Sequence, residues 1–310
     1  MGFFEEVHER TKASRREIIE KDYQLHRILK AISEDEYLSK TLAFKGGTCL
    51  IKAYLGYYRF SEDLDFTWKD QEMWEGLTQS NIKKKCSREI DGLVKRFKDI
   101  MDHLDLDFTD NKVERRHIHI SSGGRMVIFY VNYHSEVLKR IERLKIEISF
   151  MDEFRYPTLK RTLDTYANHF NTKDMEFYYP EQLKEYSSKV RIDCYDSREI
   201  FIEKCRAALT RKVYKFRDMI DIYMLKKENG FGILDHEEDI IGKTRLMLDL
   251  YRRYNENIQI RDTSIKYHNK EEELKLFLIN VPEDLDREIG LIQKDLEIIR
   301  DRIINEIDNG

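Results

Sequence analysis

Asp63-Leu64-Asp65 sets two carboxylates one residue apart. On a strand, that period-2 spacing puts both acids on one face and Leu64 on the other. Two co-facial hard oxygen ligands can hold Mg²⁺ (or Mn²⁺) together with the phosphates of an NTP. Just upstream, Phe44-Lys-Gly-Gly-Thr-Cys-Leu carries Gly46 and Gly47 ahead of Thr48 and a helical pattern. Paired glycines let backbone N–H groups approach phosphate oxygens, and a helix start adds a favourable dipole. Between the two lie Arg59, suited to clamping a phosphate or pairing with the acids, and Ser61, whose hydroxyl suits phosphate. A strand-end pair of acids can also be merely solvated. It is the glycine turn and the Arg-Phe-Ser stretch that point to nucleotidyl transfer.

That chemistry asks for a third acid to place a metal or take the acceptor proton. Glu147 is the best placed, in the alternating run Lys145-Ile-Glu-Ile-Ser-Phe, with an exposed Glu on an edge strand as the competing explanation. Asp152 and Glu153 follow the strand and are weaker candidates. Asp102, Asp105 and Asp107 read as a solvated loop. Later, Lys204 is a compact cation suited to a triphosphate oxygen. Arg217 and Asp221 are i,i+4 neighbours, for which an internal ion pair is the simple explanation.

These residues need a scaffold. Leu42–Phe44 reads as a strand, Thr48–Tyr58 as a helix and Asp63–Trp68 as a returning strand, which would bring the glycine turn and the acids to one sheet edge. His117–Ser121 and Arg125–Tyr133 flank Ser-Ser-Gly-Gly as a hairpin. Val190–Cys194 alternates and ends the β-containing half. Residues 5–32 read as one or two helices, and 74–104 as another. From about Arg198 the pattern is helical throughout, with further helices over about His236–Tyr254, Glu271–Ile279 and Pro282–Ile307. We expect a mixed α/β (α+β) fold with a core over 1–196 and a helical region over 197–310 that completes the site.

Composition narrows the alternatives. The 310 residues suffice for one large or two ordinary domains, and only 3 prolines with 37% charged residues favour long helices. A formal net charge of −4 provides no global attraction for nucleic acid. Any such contact would fall to Lys83-Lys84-Lys85, Arg115-Arg116, or Arg206, Arg211, Lys212, Lys215 and Arg217, each also readable as a solvated face. The four cysteines show neither metal nor disulfide spacing, and Cys49 and Cys205 read as core residues. His117 and His119 lack a third soft ligand, so a zinc site is not expected. Trp68 and Trp74 read as packing residues. The charged N-terminus lacks a signal-peptide pattern, and the longest apolar run, Met126 to Val131, is far short of a span. A cytoplasmic protein without a membrane segment is expected.

Taken together, Phe44-Lys-Gly-Gly-Thr-Cys-Leu and Arg59-Phe-Ser-Glu-Asp-Leu-Asp-Phe resemble the AbiEii-type nucleotidyltransferases, toxin components of type IV toxin–antitoxin systems. Glu203-Lys-Cys-Arg-Ala-Ala-Leu-Thr-Arg211 and Arg217-Asp-Met-Ile-Asp-Ile-Tyr223 are similar to that family's later blocks. The resemblance, ordered over about Ala43 to Leu225, implies a DNA-polymerase-β-like nucleotidyltransferase core followed by helices. It puts Gly46, Gly47 and Thr48 at the nucleotide-phosphate turn and Asp63 and Asp65 at the metal. Lys204 falls on the family lysine, Asp218 on an acid in or beside the site, and Glu147 on the third-strand acid. Implied with it are an NTP substrate, pyrophosphate release, an acceptor that in some members is tRNA, and a separately encoded antitoxin. A protein or small-molecule acceptor stays open. The alternative is a nucleotide- or antitoxin-binding protein that keeps the fold without turnover.

Overall fold

The computed structural model describes residues 2–11, 13, 15–259, 270–280 and 282–309. The chain forms two compact units, one of Met1–Asp152 with Thr158–Tyr195, the other of Glu153–Pro157 with Asp196–Gly310.

The first unit is mixed α/β. Helices α1 (Phe3–Thr11), α2 (Arg16–Glu34) and α3 (Glu36–Thr41) lead into strand β1 (Leu42–Lys45) and the short helix α4 (Gly46–Leu50). Strand β2 (Asp63–Trp68) and the 25-residue α5 (Gln79–His103) follow, then β3 (Ile118–Ser121), β4 (Met126–His134), β5 (Ile141–Ser149) and β6 (Leu159–Leu163). Helices α6 (Met175–Tyr178) and α7 (Pro180–Tyr186) precede β7 (Val190–Cys194). The seven strands form one mixed sheet in the order β3-β4-β5-β2-β1-β7-β6. β1 and β2 are antiparallel, while β2 runs parallel to β5 and β1 parallel to β7.

Alternation decides the faces. Leu64, Phe66, Ile146, Ile148 and Phe129 are fully buried on one side, where Phe97 of α5 meets Phe129 at 4.8 Å between rings and Phe44 meets Phe66 at 5.3 Å. Asp63, Asp65, Lys145 and Glu147 face the other way, half-buried.

Several sequence expectations shift. The helix expected over Thr48–Tyr58 opens at Gly46, passes through a π-helical turn over Ile51–Leu55 and stops at Gly56, whose φ of +70° only glycine adopts at no cost. Trp74 stands outside α5, in a 3-10 turn (Glu72–Trp74). There it packs against Trp68 and Phe150, and Thr78 caps α5 instead. Residues 5–32 hold two helices, α1 and α2, within the expectation, and Asp35 then ends α2 and caps the additional α3 through Leu38 N–H. β6 was not expected. It is an edge strand with only Leu163 buried, so it lacks the alternation that marks the others. Asp102 lies within α5 and not in a loop.

Among the described residues the second unit is helical, with α8 (Ser197–Thr210), α9 (Phe216–Asn229), α10 (Glu237–Leu250), α11 (Arg252–Gln259), α12 (Lys270–Leu274) and α13 (Leu285–Asn309). The stretch expected as one helix over His236–Tyr254 breaks at Tyr251, where φ −137° and ψ 99° are extended. The expected Glu271–Ile279 helix is confined to α12. No described helix is long and apolar enough to cross a membrane. The four cysteines are free and buried.

Candidate active site

The strand register assembles the candidate acids. Across the parallel β2–β5 pair, Asp63 stands opposite Lys145 and Asp65 opposite Glu147. Across β1–β2, Lys45 stands opposite Asp65. Directly paired residues point to the same face, so three carboxylates and two lysines share the side of the sheet away from Leu64, Ile146 and Phe129. Glu147 sits on β5, flanked by both β2 and β4, so it is not on an edge strand. Its carboxylate pairs with Lys145 Nζ at 2.8 Å.

The glycine turn closes over this cluster. Gly46 has φ +78°, and a Cβ there would overlap Asp65 Oδ2. Both facts demand glycine, and together they show the turn backbone lying directly against the acid. A Cβ on Gly47 would lie 2.7 Å from an Arg59 terminal nitrogen and 3.4 Å from Ser61 Oγ. Thr48 is buried, and its hydroxyl donates to the Asp63 carbonyl, tying the start of α4 to the acid strand. The first N–H groups of a helix lack intrahelical acceptors, so the turn presents donors beside the carboxylates.

Arg59 is only 1% exposed and donates to the Phe60 carbonyl at 2.8 Å. It braces the glycine turn from beneath. Lys45 reaches Ser149 Oγ at 2.9 Å and Asp152 at 3.3 Å, and Asp152 also accepts from the Tyr195 hydroxyl. Asp152 is thereby committed to these partners. Sequence reasoning passed over Lys45 and Lys145, although the alternation that selected Glu147 placed Lys145 on its face.

Burial and like charge act together here. Burial, then the carboxylates of Glu147 and Asp63, push Asp65 up to about 6. Burial alone would lower Lys145, but Glu147 first, and then Asp63 and Asp65, outweigh it and hold its ammonium above the ordinary value. Among the described residues no group of three or more His, Cys, Asp or Glu is arranged to hold a metal by itself. Asp63 and Asp65 still fit one divalent cation that takes its remaining ligands from phosphate and water. They are a co-facial oxygen pair, and a cation would offset the burial and the repulsion that raise Asp65.

The second unit holds the later residues. Lys204 on α8 is clamped by Asp218 at 2.8 Å and Asp221 at 2.6 Å, both on α9 and both buried. Arg211 also pairs with Asp218. Arg217 turns instead to Glu273, its backbone N–H donating at 2.8 Å, so the i,i+4 pair with Asp221 does not form. Burial, then Arg206 and Arg217, lower Arg211 to about 10; burial, then Arg211 and Arg217, lower Lys215 to about 8. A buried network continues behind them, in which Lys243 pairs with Glu199 and, at 3.1 Å, with Glu203.

Other candidates resolve as structure. Lys83 and Lys84 are exposed on α5, while Lys85 lies over the Trp74 ring at 5.7 Å. Arg116 pairs with Glu114 at 2.9 Å. His117 is buried, its Nδ1 bound to the Tyr130 carbonyl at 2.9 Å.

The chain is similar to JHP933 from Helicobacter pylori, at 17% identity and a TM-score of 0.45 over 95% of this chain and 97% of that one. It is similar also to an H. pylori candidate nucleotidyltransferase, at 18% identity and a TM-score of 0.45 over 94% and 98%. No curated protein matches. The profile of the nucleotidyl transferase AbiEii toxin family matches residues 27–301, nearly the whole length. The chain therefore belongs to the AbiEii nucleotidyl transferase family of type IV toxin–antitoxin toxins.

Proposed function

We propose that this chain moves a nucleotide from an NTP to an acceptor hydroxyl, with pyrophosphate as leaving group. The observation that supports the proposal is the glycine turn pressed against Asp65, whose backbone N–H groups would suit phosphate oxygens beside the Asp63–Asp65 pair. A divalent cation, Mg²⁺ or Mn²⁺, bound by Asp63 and Asp65 would neutralise charge on the reacting phosphates. The N–H groups at Gly46–Thr48 hold phosphate oxygens, with Ser61 beside them, and Arg59 keeps the turn in place. Glu147 accepts the proton of the acceptor hydroxyl as its oxygen bonds to the α-phosphorus and the bond to the β-phosphate oxygen breaks. Lys204 is assigned to the triphosphate and Asp218 to holding that lysine, on the strength of the family blocks and their 2.8 Å ion pair.

The acceptor we favour is tRNA, with a cellular protein as the other possibility, and a cognate antitoxin is the expected partner of a toxin of this family. The four buried thiols suit a reducing cytoplasm. The test is incubation with each α-³²P-labelled NTP, Mg²⁺, total RNA and lysate protein. Label in a tRNA-sized band that disappears with Asp63→Ala/Asp65→Ala supports the proposal. Label that persists in the double variant refutes it. Binding without turnover has one observation in its favour, since Glu147 and Lys204 are both already ion-paired. NTP retained with no label in any fraction would establish that reading instead.

A further inference from the structure

We propose that Lys145 stands in for a second metal ion, so that the Asp63–Asp65 site takes a single divalent cation. This rests on the function proposed above and deepens it. The register makes Asp63, Asp65, Lys145 and Glu147 the corners of a square on one sheet face, with Lys145 opposite Asp63 and beside Glu147. Two-metal phosphoryl-transfer sites set two divalent ions roughly 4 Å apart, each sharing carboxylates with the other. Here one corner of the carboxylate cluster is itself a cation, and its Nζ lies 2.8 Å from Glu147.

Charge counting favours the same conclusion. Three carboxylates face two lysines, and of these Lys45 is also engaged by Ser149 and Asp152 on the far flank of Asp65. What remains after Lys145 neutralises Glu147 is the pair Asp63 and Asp65, enough for one divalent ion but not for two. A second such ion at Glu147 would meet the ammonium at contact distance, where like charges repel strongly. Glu147 is thereby kept as a proton acceptor for the incoming hydroxyl and is not spent as a metal ligand. Lys145 is a positioning residue in this scheme.

The test counts ions. The full chain is passed through gel filtration in buffer equilibrated with Mn²⁺ and the α,β-methylene analogues of the four NTPs, and the Mn²⁺ carried by each chain is measured by elemental analysis. One Mn²⁺ is expected per wild-type chain and per Lys145→Arg chain, and two per Lys145→Met chain. Two ions on the wild type, or one on a folded Lys145→Met variant, overturn the inference and leave the proposed function standing. If the wild type retains no more Mn²⁺ than Asp63→Asn/Asp65→Asn, the proposed function fails and takes the inference with it. Should Lys145→Met not fold, the wild-type count still decides.

Discussion

At the scale of single residues, Gly46 and Asp65 constrain each other. Gly46→Ala would force a side chain into a left-handed backbone, at a cost of about 1–2 kcal/mol, and would push its Cβ into the Asp65 carboxylate. We expect a matching fall in urea-unfolding stability and loss of nucleotide labelling; a variant with wild-type labelling would contradict the placement of the turn. Asp65 makes a pH prediction. Its carboxyl is raised from 3.8 to about 6, so the folded state binds this proton more tightly than the unfolded chain does. Burial of the charged carboxylate, and then its repulsion with Glu147 and Asp63, therefore costs stability at neutral pH. That cost is relieved as pH falls through about 6 and is gone below the unfolded value near 4. Asp65→Asn should accordingly be more stable than wild type near neutral pH, with the difference shrinking toward pH 4 in urea titrations. Activity should move the opposite way, because the neutral asparagine amide is a much weaker ligand for a divalent cation than the carboxylate.

Helices and strands act on a larger lever. Asp218 and Asp221 lie on one face of α9, three residues apart, and Lys204 of α8 neutralises both. Removing one partner of a buried ion pair leaves uncompensated charge, typically worth about 3–5 kcal/mol. Lys204→Met should destabilise the chain by that order, and Lys204→Met/Asp221→Asn should recover part of the loss in thermal unfolding. If the double variant regains stability but not labelling, Lys204 serves the reaction and not only the helix pair. A single variant as stable as wild type would mean the network carries no net stabilisation.

For the molecule as a whole, charge is the useful quantity. At −4 there is no general field to gather RNA, and the exposed lysines of the first basic cluster come down to Lys83 and Lys84. Labelling of RNA should therefore fall with salt at a shallow slope, that of roughly two or three phosphate contacts at about 0.7 per contact for a single strand. A slope corresponding to six or more would point to a much larger basic surface. Label entering protein with little salt dependence would instead identify a protein acceptor.

Much of this was legible from local pattern because the signals are short in range. The period-2 alternation of β2 and β5, the hairpin around Ser121–Gly124 and the glycine pair depend on neighbouring residues alone, so Asp63, Asp65 and Glu147 could be named and the mixed α/β class expected. Only tertiary structure decided which acids have partners. The pairing of Lys145 with Glu147 was open to either rotamer. The cross-strand registers of Lys45 with Asp65 and of Asp65 with Glu147 depend on how strands distant in sequence align. The same holds for Asp221, where spacing suggested Arg217 but packing of α8 on α9 selected Lys204. The edge strand β6 escaped because it buries one residue and leaves no periodic trace. Local hydrophobic periodicity therefore determined the elements and one face of the sheet. Long-range strand register and helix packing, which depend on contacts between residues far apart in the chain, decided the electrostatics of the site.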